Sequence, residues 1–170
     1  ESTNQSAYIS DEIRFSSKFK AVLGLRFENY VLKYSGQNLE GAVYDKATFI
    51  DKKDFFPSAN LILSPTEDQN VRFSYAKTTA RPSFKEASAI TLYDPITERF
   101  FIGNPDLKPS YIDNLDLRFE KYGAGGDFFA VSTFAKLFKD PIEINAVNLN
   151  SPNQLTGKNN KNAQLLGMEI

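Results

Sequence analysis

Tyr111-Ile112-Asp113-Asn114-Leu115-Asp116-Leu117-Arg118-Phe119-Glu120-Lys121-Tyr122 is the stretch that decides the fold. Leu115, Leu117 and Phe119 alternate with Asn114, Asp116, Arg118 and Glu120. A period of two sends successive side chains to opposite faces, so the segment predicts a β-strand with one apolar and one polar side. The pattern recurs on both sides of it. Ala7–Phe15 sets Ala7, Ile9, Ile13 and Phe15 against Tyr8, Ser10, Glu12 and Arg14, with Asp11 as the exception. Phe19–Tyr34, Phe55–Ser64 and Asn70–Ala80 alternate in the same way. Phe128–Ile144 is strand-like with faces blurred by Phe134 and Phe138, and Ala163–Ile170 begins a further strand, giving about seven in all.

The connections between these strands come in two sizes. Short polar turns fall at Ser16–Lys18, Pro65–Gln69 and Gly123–Asp127; long excursions run over Ser35–Asp54, Arg81–Pro109 and Ala146–Asn162. Short and long alternate, so one rim of the sheet carries tight turns and the other carries loops. An outer-membrane β-barrel has this asymmetry, with short periplasmic turns and long extracellular loops. Aromatics gather beside the short turns: Phe15 and Phe19 at the first, Phe119, Tyr122, Phe128 and Phe129 at the third. Rings at one level suit an interfacial girdle. Alternation alone fits a soluble antiparallel sheet with one buried face equally well. A β-sandwich or carbohydrate-binding module therefore stays open, as does a plugless outer-membrane barrel for secretion or adhesion.

Composition narrows the chemistry. With no cysteine and no histidine among 170 residues, the chain builds no thiolate nucleophile, disulfide frame, zinc finger or histidine-based triad. The net charge of -1, with its basic residues dispersed, argues against nucleic acid as a partner. No apolar run approaches the roughly 18–20 residues of a membrane helix, which leaves strand-type spanning untouched. Carboxylate pairs exist at Asp113/Asp116 and Glu67/Asp68, but the latter pair sits in a tight turn and Asp116 belongs to a strand's polar face. Neither pair is read as a glycosidase site, and no enzyme activity, cofactor or metal is expected.

Gly103-Asn104-Pro105-Asp106-Leu107-Lys108-Pro109-Ser110, followed by Asn114–Glu120, resembles the barrel domain of TonB-dependent outer-membrane receptors. Five more segments resemble that family in the same order: Leu23–Glu28, Phe56–Leu61, Arg72–Phe84, Phe134–Glu143 and Ala163–Ile170. The resemblance implies an all-β fold, an antiparallel transmembrane β-barrel segment of about seven strands from a larger, roughly 22-stranded barrel. Residues 1–170 are then part of the barrel domain, with plug domain, signal peptide and C-terminal strand absent. It implies a Gram-negative outer membrane and import of a scarce solute: a siderophore, cobalamin or a glycan. The implied partners are the lipid bilayer, the protein's own plug domain, the TonB energy-coupling complex and a surface lipoprotein.

Within this frame the sequence offers three groups of site residues. Tyr44, Phe49, Tyr93, Phe100 and Phe101 lie in long loops, where exposed rings stack on sugars or aromatic ligands unless they pack on one another. Arg26, Glu28, Arg72, Arg81, Asp116, Arg118 and Glu120 are the lumen- and plug-facing candidates, Arg81 also serving to anchor a loop. Gly103, Asn104, Pro105 and Pro109 read as a structural motif leading from a loop into an extended strand. The Asn-rich stretch from Asn145 through Asn148, Asn150 and Asn153 to Asn159, Asn160 and Asn162 reads as a solvated excursion without the clustered carboxylates of a calcium site.

Overall fold

The computed structural model describes residues 1–38, 41–148 and 151–170, the side chains of 151 and 152 excepted. In chain order the elements are β1 (Ser2–Arg14), β2 (Phe19–Gln37), β3 (Val43–Leu63), β4 (Gln69–Ala80), α1 (Phe84–Ala87), β5 (Thr91–Asp94), β6 (Arg99–Ile102), β7 (Ser110–Tyr122), β8 (Phe128–Lys139), β9 (Ile142–Asn148), β10 (Ser151–Asn159) and β11 (Asn162–Glu169). β1, β2, β3, β4, β7, β8 and β11 form one antiparallel sheet in that spatial order. β5, β6, β10 and β9 form a second sheet of four strands.

Cross-strand partners share a face, so the register sorts the large sheet completely. Arg72 lies opposite Arg118, Ser74 opposite Asp116 and Asn70 opposite Glu120, all on the polar side. Phe73 lies opposite Leu117 and Val71 opposite Phe119 on the apolar side. That apolar side has no second layer: Leu23, Leu25, Phe55, Phe73, Leu117, Phe129, Leu137 and Leu166 all stay exposed, Leu117 at 51%. A sandwich buries such a face against another sheet. Here it is left for a non-aqueous surround. β1 and β11 do not meet, so the barrel is not closed over these residues.

The short turns lie where the sequence puts them. Phe15 and Ser16 both donate to the Phe19 carbonyl (3.0 and 3.2 Å), closing the first. The rings beside them pair, Phe15 with Phe19 at 5.1 Å and Tyr122 with Phe128 at 5.2 Å between centroids, but Tyr122 and Phe128 lie on the polar face with Glu120 and so do not belong to an apolar-side girdle.

The long connections differ from their expected form. The stretch 35–54 is mostly strand, because β2 and β3 run on as one hairpin of 19 and 21 residues. At ~3.3 Å per residue a strand of 19 residues spans roughly 60 Å, well beyond an apolar band about 25 Å tall even when tilted. Two register shifts, at Leu32/Lys33 and Tyr34/Gly36, bend this projecting part, and Lys46 takes a left-handed φ of 49° where its N–H meets Ser35 Oγ at 3.0 Å. The expected strand Phe128–Ile144 breaks at Asp140 (φ 53°) before Pro141, and Ile142 enters the other sheet. The Asn-rich stretch is not a free excursion: Asn145, Asn148, Asn153 and Asn159 belong to β9 and β10, while Asn150 lies outside the described residues.

Phe134 and Phe138 blur the pattern of β8 because both sit on the polar face, opposite Asp116 and Ile112. Phe134 also lies opposite Gly167 of β11, where a Cβ would come within 2.2 Å of its ring. The ring covers the surface that a side chain at 167 would otherwise fill.

Candidate functional site

The polar face carries two carboxylates, each held between two arginines. Glu28, 7% exposed, accepts from Arg26 Nε at 2.6 Å and from an Arg81 terminal nitrogen. Arg81 comes from 53 residues further along, where β4 has ended and the chain turns toward α1. Its guanidinium carbon lies 4.4 Å from the centre of the Tyr30 ring, a cation–π contact that fixes the plane of the fork. Glu120, 6% exposed, accepts from Arg72 Nε (3.0 Å), Arg118 Nε (2.9 Å) and the Tyr122 hydroxyl (3.1 Å).

The register explains why Glu120 is needed. Arg72 and Arg118 are direct cross-strand partners, a placement that repels unless a counter-charge intervenes. Glu120, two residues along β7 from Arg118, supplies it. Each cluster holds two cations and one carboxylate, so guanidinium donors remain for an anionic or carbonyl group. Asp116 joins neither cluster; it lines a shallow depression on the same face with Arg72, Ser74, Arg118 and Lys136.

The loop aromatics divide. Tyr44 and Phe49 pack around Tyr34, at 5.6 and 5.2 Å between centroids, and Phe84 of α1 caps them at 5.9 Å from Tyr34. Leu32, Ile50 and Ala87 form the small core beneath, which docks α1 on the projecting hairpin. Ser83 sets the helix start with a reciprocal capping box: Glu86 N–H donates to Ser83 Oγ (3.2 Å) and Ser83 N–H to Glu86 (2.7 Å). Phe101 lies under the Lys85 ammonium at 4.7 Å. Tyr93 and Phe100 pair across β5 and β6 at 5.0 Å and stay open, at 54% and 42% exposure. At the tip of that hairpin the Thr97 hydroxyl (2.8 Å), and after it the Ile96 N–H (3.0 Å), hold the Asp94 carboxyl below the usual carboxylate range.

Gly103-Asn104-Pro105 is a junction. A Cβ at Gly103 would lie 2.0 Å from the Ser88 carbonyl oxygen, so only glycine lets the two backbones approach this closely. Asn104 N–H donates to the Glu86 carbonyl (2.7 Å) and its side chain to the Gly157 carbonyl (3.0 Å). After Pro109, β7 begins at Ser110, whose hydroxyl donates to the Asp140 carbonyl (2.8 Å). Asn159 completes the tie: its Oδ1 accepts from Lys108 N–H (2.8 Å), and its amide donates to the carbonyls of Lys108 (2.9 Å) and Asp140 (2.8 Å). The loop after β4 and the loop after β8 are thereby one body, with β6 and β10 paired in parallel between them.

Nothing in the sequence signals the roles of Tyr30 and Tyr34, and it places Tyr122 in a girdle and Asn159 in a solvated excursion where the structure has them bonded to Glu120 and to the Lys108 and Asp140 backbone. The spacing Arg118-x-Glu120-x-Tyr122, three alternate residues of one strand face, was a usable signal for Tyr122. The partners of Tyr34 and Asn159 lie on other elements, and no spacing reveals them.

The comparisons with known proteins agree with this geometry. The chain overlays the siderophore receptor PirA from Pseudomonas aeruginosa with a TM-score of 0.78 at 19% identity, over 99% of this chain and 30% of that one. It overlays PirA from Acinetobacter baumannii with a TM-score of 0.67 at 22% identity, over 98% and 25%. The hemophore receptor HasR of Serratia marcescens, in complex with its hemophore HasA and heme, gives 0.76 at 15%, over 98% and 31%. The chain thus spans under a third of these receptors. A comparison with curated protein sequences finds no match. The family model described as TonB dependent receptor-like, beta-barrel, matches residues 1–170, and the chain belongs to that family of Gram-negative outer-membrane barrels.

Proposed function

We propose that these residues are part of the wall of an active-transport receptor that takes a scarce solute across the outer membrane with TonB-coupled energy. The single observation that carries the reading is the two-sidedness of the large sheet: an uncovered apolar face and a polar face built of arginine-clamped carboxylates. A siderophore leads cobalamin and glycans as the solute class, since structurally similar barrels are named as siderophore receptors. In this reading a plug domain encoded outside residues 1–170 seats against Arg26, Glu28, Arg72, Asp116, Arg118 and Glu120. The exposed Tyr93–Phe100 pair meets solute on the outer side, alone or beside a surface lipoprotein. The protein moves its solute unchanged and catalyses no reaction. The test is uptake of ferric siderophores, cobalamin and oligosaccharides by a receptor-deficient Gram-negative strain carrying the full-length gene, with and without TonB. Uptake of one class that vanishes without TonB supports the reading. Uptake indifferent to TonB, or a full-length product recovered in the detergent-free soluble fraction, refutes it.

A further inference from the structure

The outward face of the large sheet is apolar only part of the way along. On β7 Phe119, Leu117 and Leu115 give way to Asp113 and Tyr111 toward the long connections, and on β4 Val71 and Phe73 give way to Tyr75 and Lys77. On β8 Leu137 is followed on the same face by Lys139. Each of these strands is paired on both sides, β4 with β3 and β7, β7 with β4 and β8, β8 with β7 and β11, so the chain itself supplies the whole wall around this tier. From Lys121 at the turn-side rim to Tyr111 is ten residue steps along β7. At ~3.3 Å per step and a tilt of ~40° they rise about 25 Å, the height of a barrel's apolar band. The tier therefore stands where lipid tails end and headgroups begin, on the loop side.

Two lysines flank Tyr111 there. The Lys77 ammonium lies 5.7 Å from the centre of its ring, and Lys139 is its direct cross-strand partner. The ring is held in place, since the Tyr111 hydroxyl donates to Asp54 Oδ1 at 2.9 Å. Asp113 lies opposite Lys77, yet its Oδ1 accepts from the Tyr75 hydroxyl at 2.7 Å instead. Among the described residues neither lysine side chain enters an ion pair or donates a hydrogen bond. The inward arginines differ: Arg26 and Arg81 are spent on Glu28, Arg72 and Arg118 on Glu120. An ammonium at the margin of hydrocarbon is costly unless an anion meets it, and lipid phosphate is the anion present at this height.

We propose that Lys77 and Lys139 bind the phosphate of a lipid headgroup in the outer leaflet, with the Tyr111 ring as the seat that aims Lys77. Asp113 tempers the site, because its charge is neutralised by neither lysine and weakens their pull on phosphate. The assignment rests on the outward face meeting lipid and on no property of the solute, so it stands or falls separately from the receptor reading.

Native mass spectrometry of the purified full-length protein in non-ionic detergent tests it by counting bound lipid. The probes are phosphatidic acid, diacylglycerol (the same lipid without its phosphate) and inorganic phosphate. Saturable binding of phosphatidic acid beyond that of diacylglycerol is expected. K77Q/K139Q weakens it about tenfold, the loss of one charge-assisted hydrogen bond after solvent screening of two exposed ones. D113N keeps an acceptor for Tyr75 and tightens binding a few-fold, which a purely structural role for this tier would not do. K121Q, on the same face at the opposite rim, retains the site, and heat-modifiable mobility on gels confirms that each variant is folded. No phosphate-dependent adduct, equal binding by wild type and folded K77Q/K139Q, or an equal loss in K121Q overturns the proposal. Displacement of phosphatidic acid by equimolar inorganic phosphate would mark a soluble-anion site and overturn the lipid assignment.

Discussion

Replacing Glu120 by glutamine removes a charge while keeping the shape, and the structure sets the size of the effect. Glu120 accepts from two guanidiniums, at 3.0 and 2.9 Å. Hydrogen bonds to charged groups contribute about 1.5–3 kcal/mol each, which gives about 4 kcal/mol for the pair. Arg72 and Arg118 are 35% and 39% exposed, so solvent screens a large part of that. About 2 kcal/mol of destabilisation is expected from E120Q. The loss includes a term beyond the hydrogen bonds themselves, since Arg72 and Arg118 then face each other without a counter-charge. Adding R118Q to E120Q therefore recovers stability, on the order of 1 kcal/mol. The assay is urea unfolding of the purified full-length barrel in phospholipid vesicles, with a double-mutant cycle over positions 118 and 120. An E120Q value within about 0.5 kcal/mol of wild type, or a double variant as unstable as the sum of the singles, refutes the bridging role of Glu120.

Three further outcomes concern other parts of the structure. Leu117→Arg, on the uncovered face, is expected to cost about 2–4 kcal/mol if position 117 lies at the bilayer midplane, read as a loss of folded protein in outer-membrane fractions; Ser74→Arg, on the polar face, leaves assembly intact. Gly103→Ala drives a methyl group to 2.0 Å from the Ser88 carbonyl oxygen, which cannot yield, so limited proteolysis between residues 81 and 109 accelerates while the spanning strands stay protected. Asn159→Ala removes three hydrogen bonds, and at about 1 kcal/mol each the amides of β9 and β10 are expected to exchange roughly a hundredfold faster.

The spanning strands were legible because each carries its own evidence. Leu115-Asp116-Leu117-Arg118 needs no partner to declare its two faces, and neither does Val71-Arg72-Phe73-Ser74. The second sheet was illegible for the opposite reason. β10 pairs in parallel with β6, some 54 residues earlier (Gln154 with Phe100), and its Asn and Lys residues show no apolar alternation. Local pattern cannot signal a strand whose stability comes from a distant edge. The break at Asp140-Pro141 was readable, since a proline removes a donor and stops a ladder, but the apolar Ile142 and Ile144 beyond it hid the boundary. On the polar face, residue type and alternation were enough to nominate Glu28, Arg72, Arg118 and Glu120. Which cation serves which carboxylate was not, because Arg81 reaches Glu28 from the far end of another hairpin.

The parallel pairing of β6 with β10 constrains how the two long connections of this chain can be exchanged. The segments after β4 and β8 cannot be transplanted one at a time between related proteins, because each supplies edge bonds that the other requires. A chimera that exchanges 81–109 alone leaves the native 142–159 hairpin without its seat. Exchanging both together carries the whole cassette across, so the unit that can be moved intact is a pair.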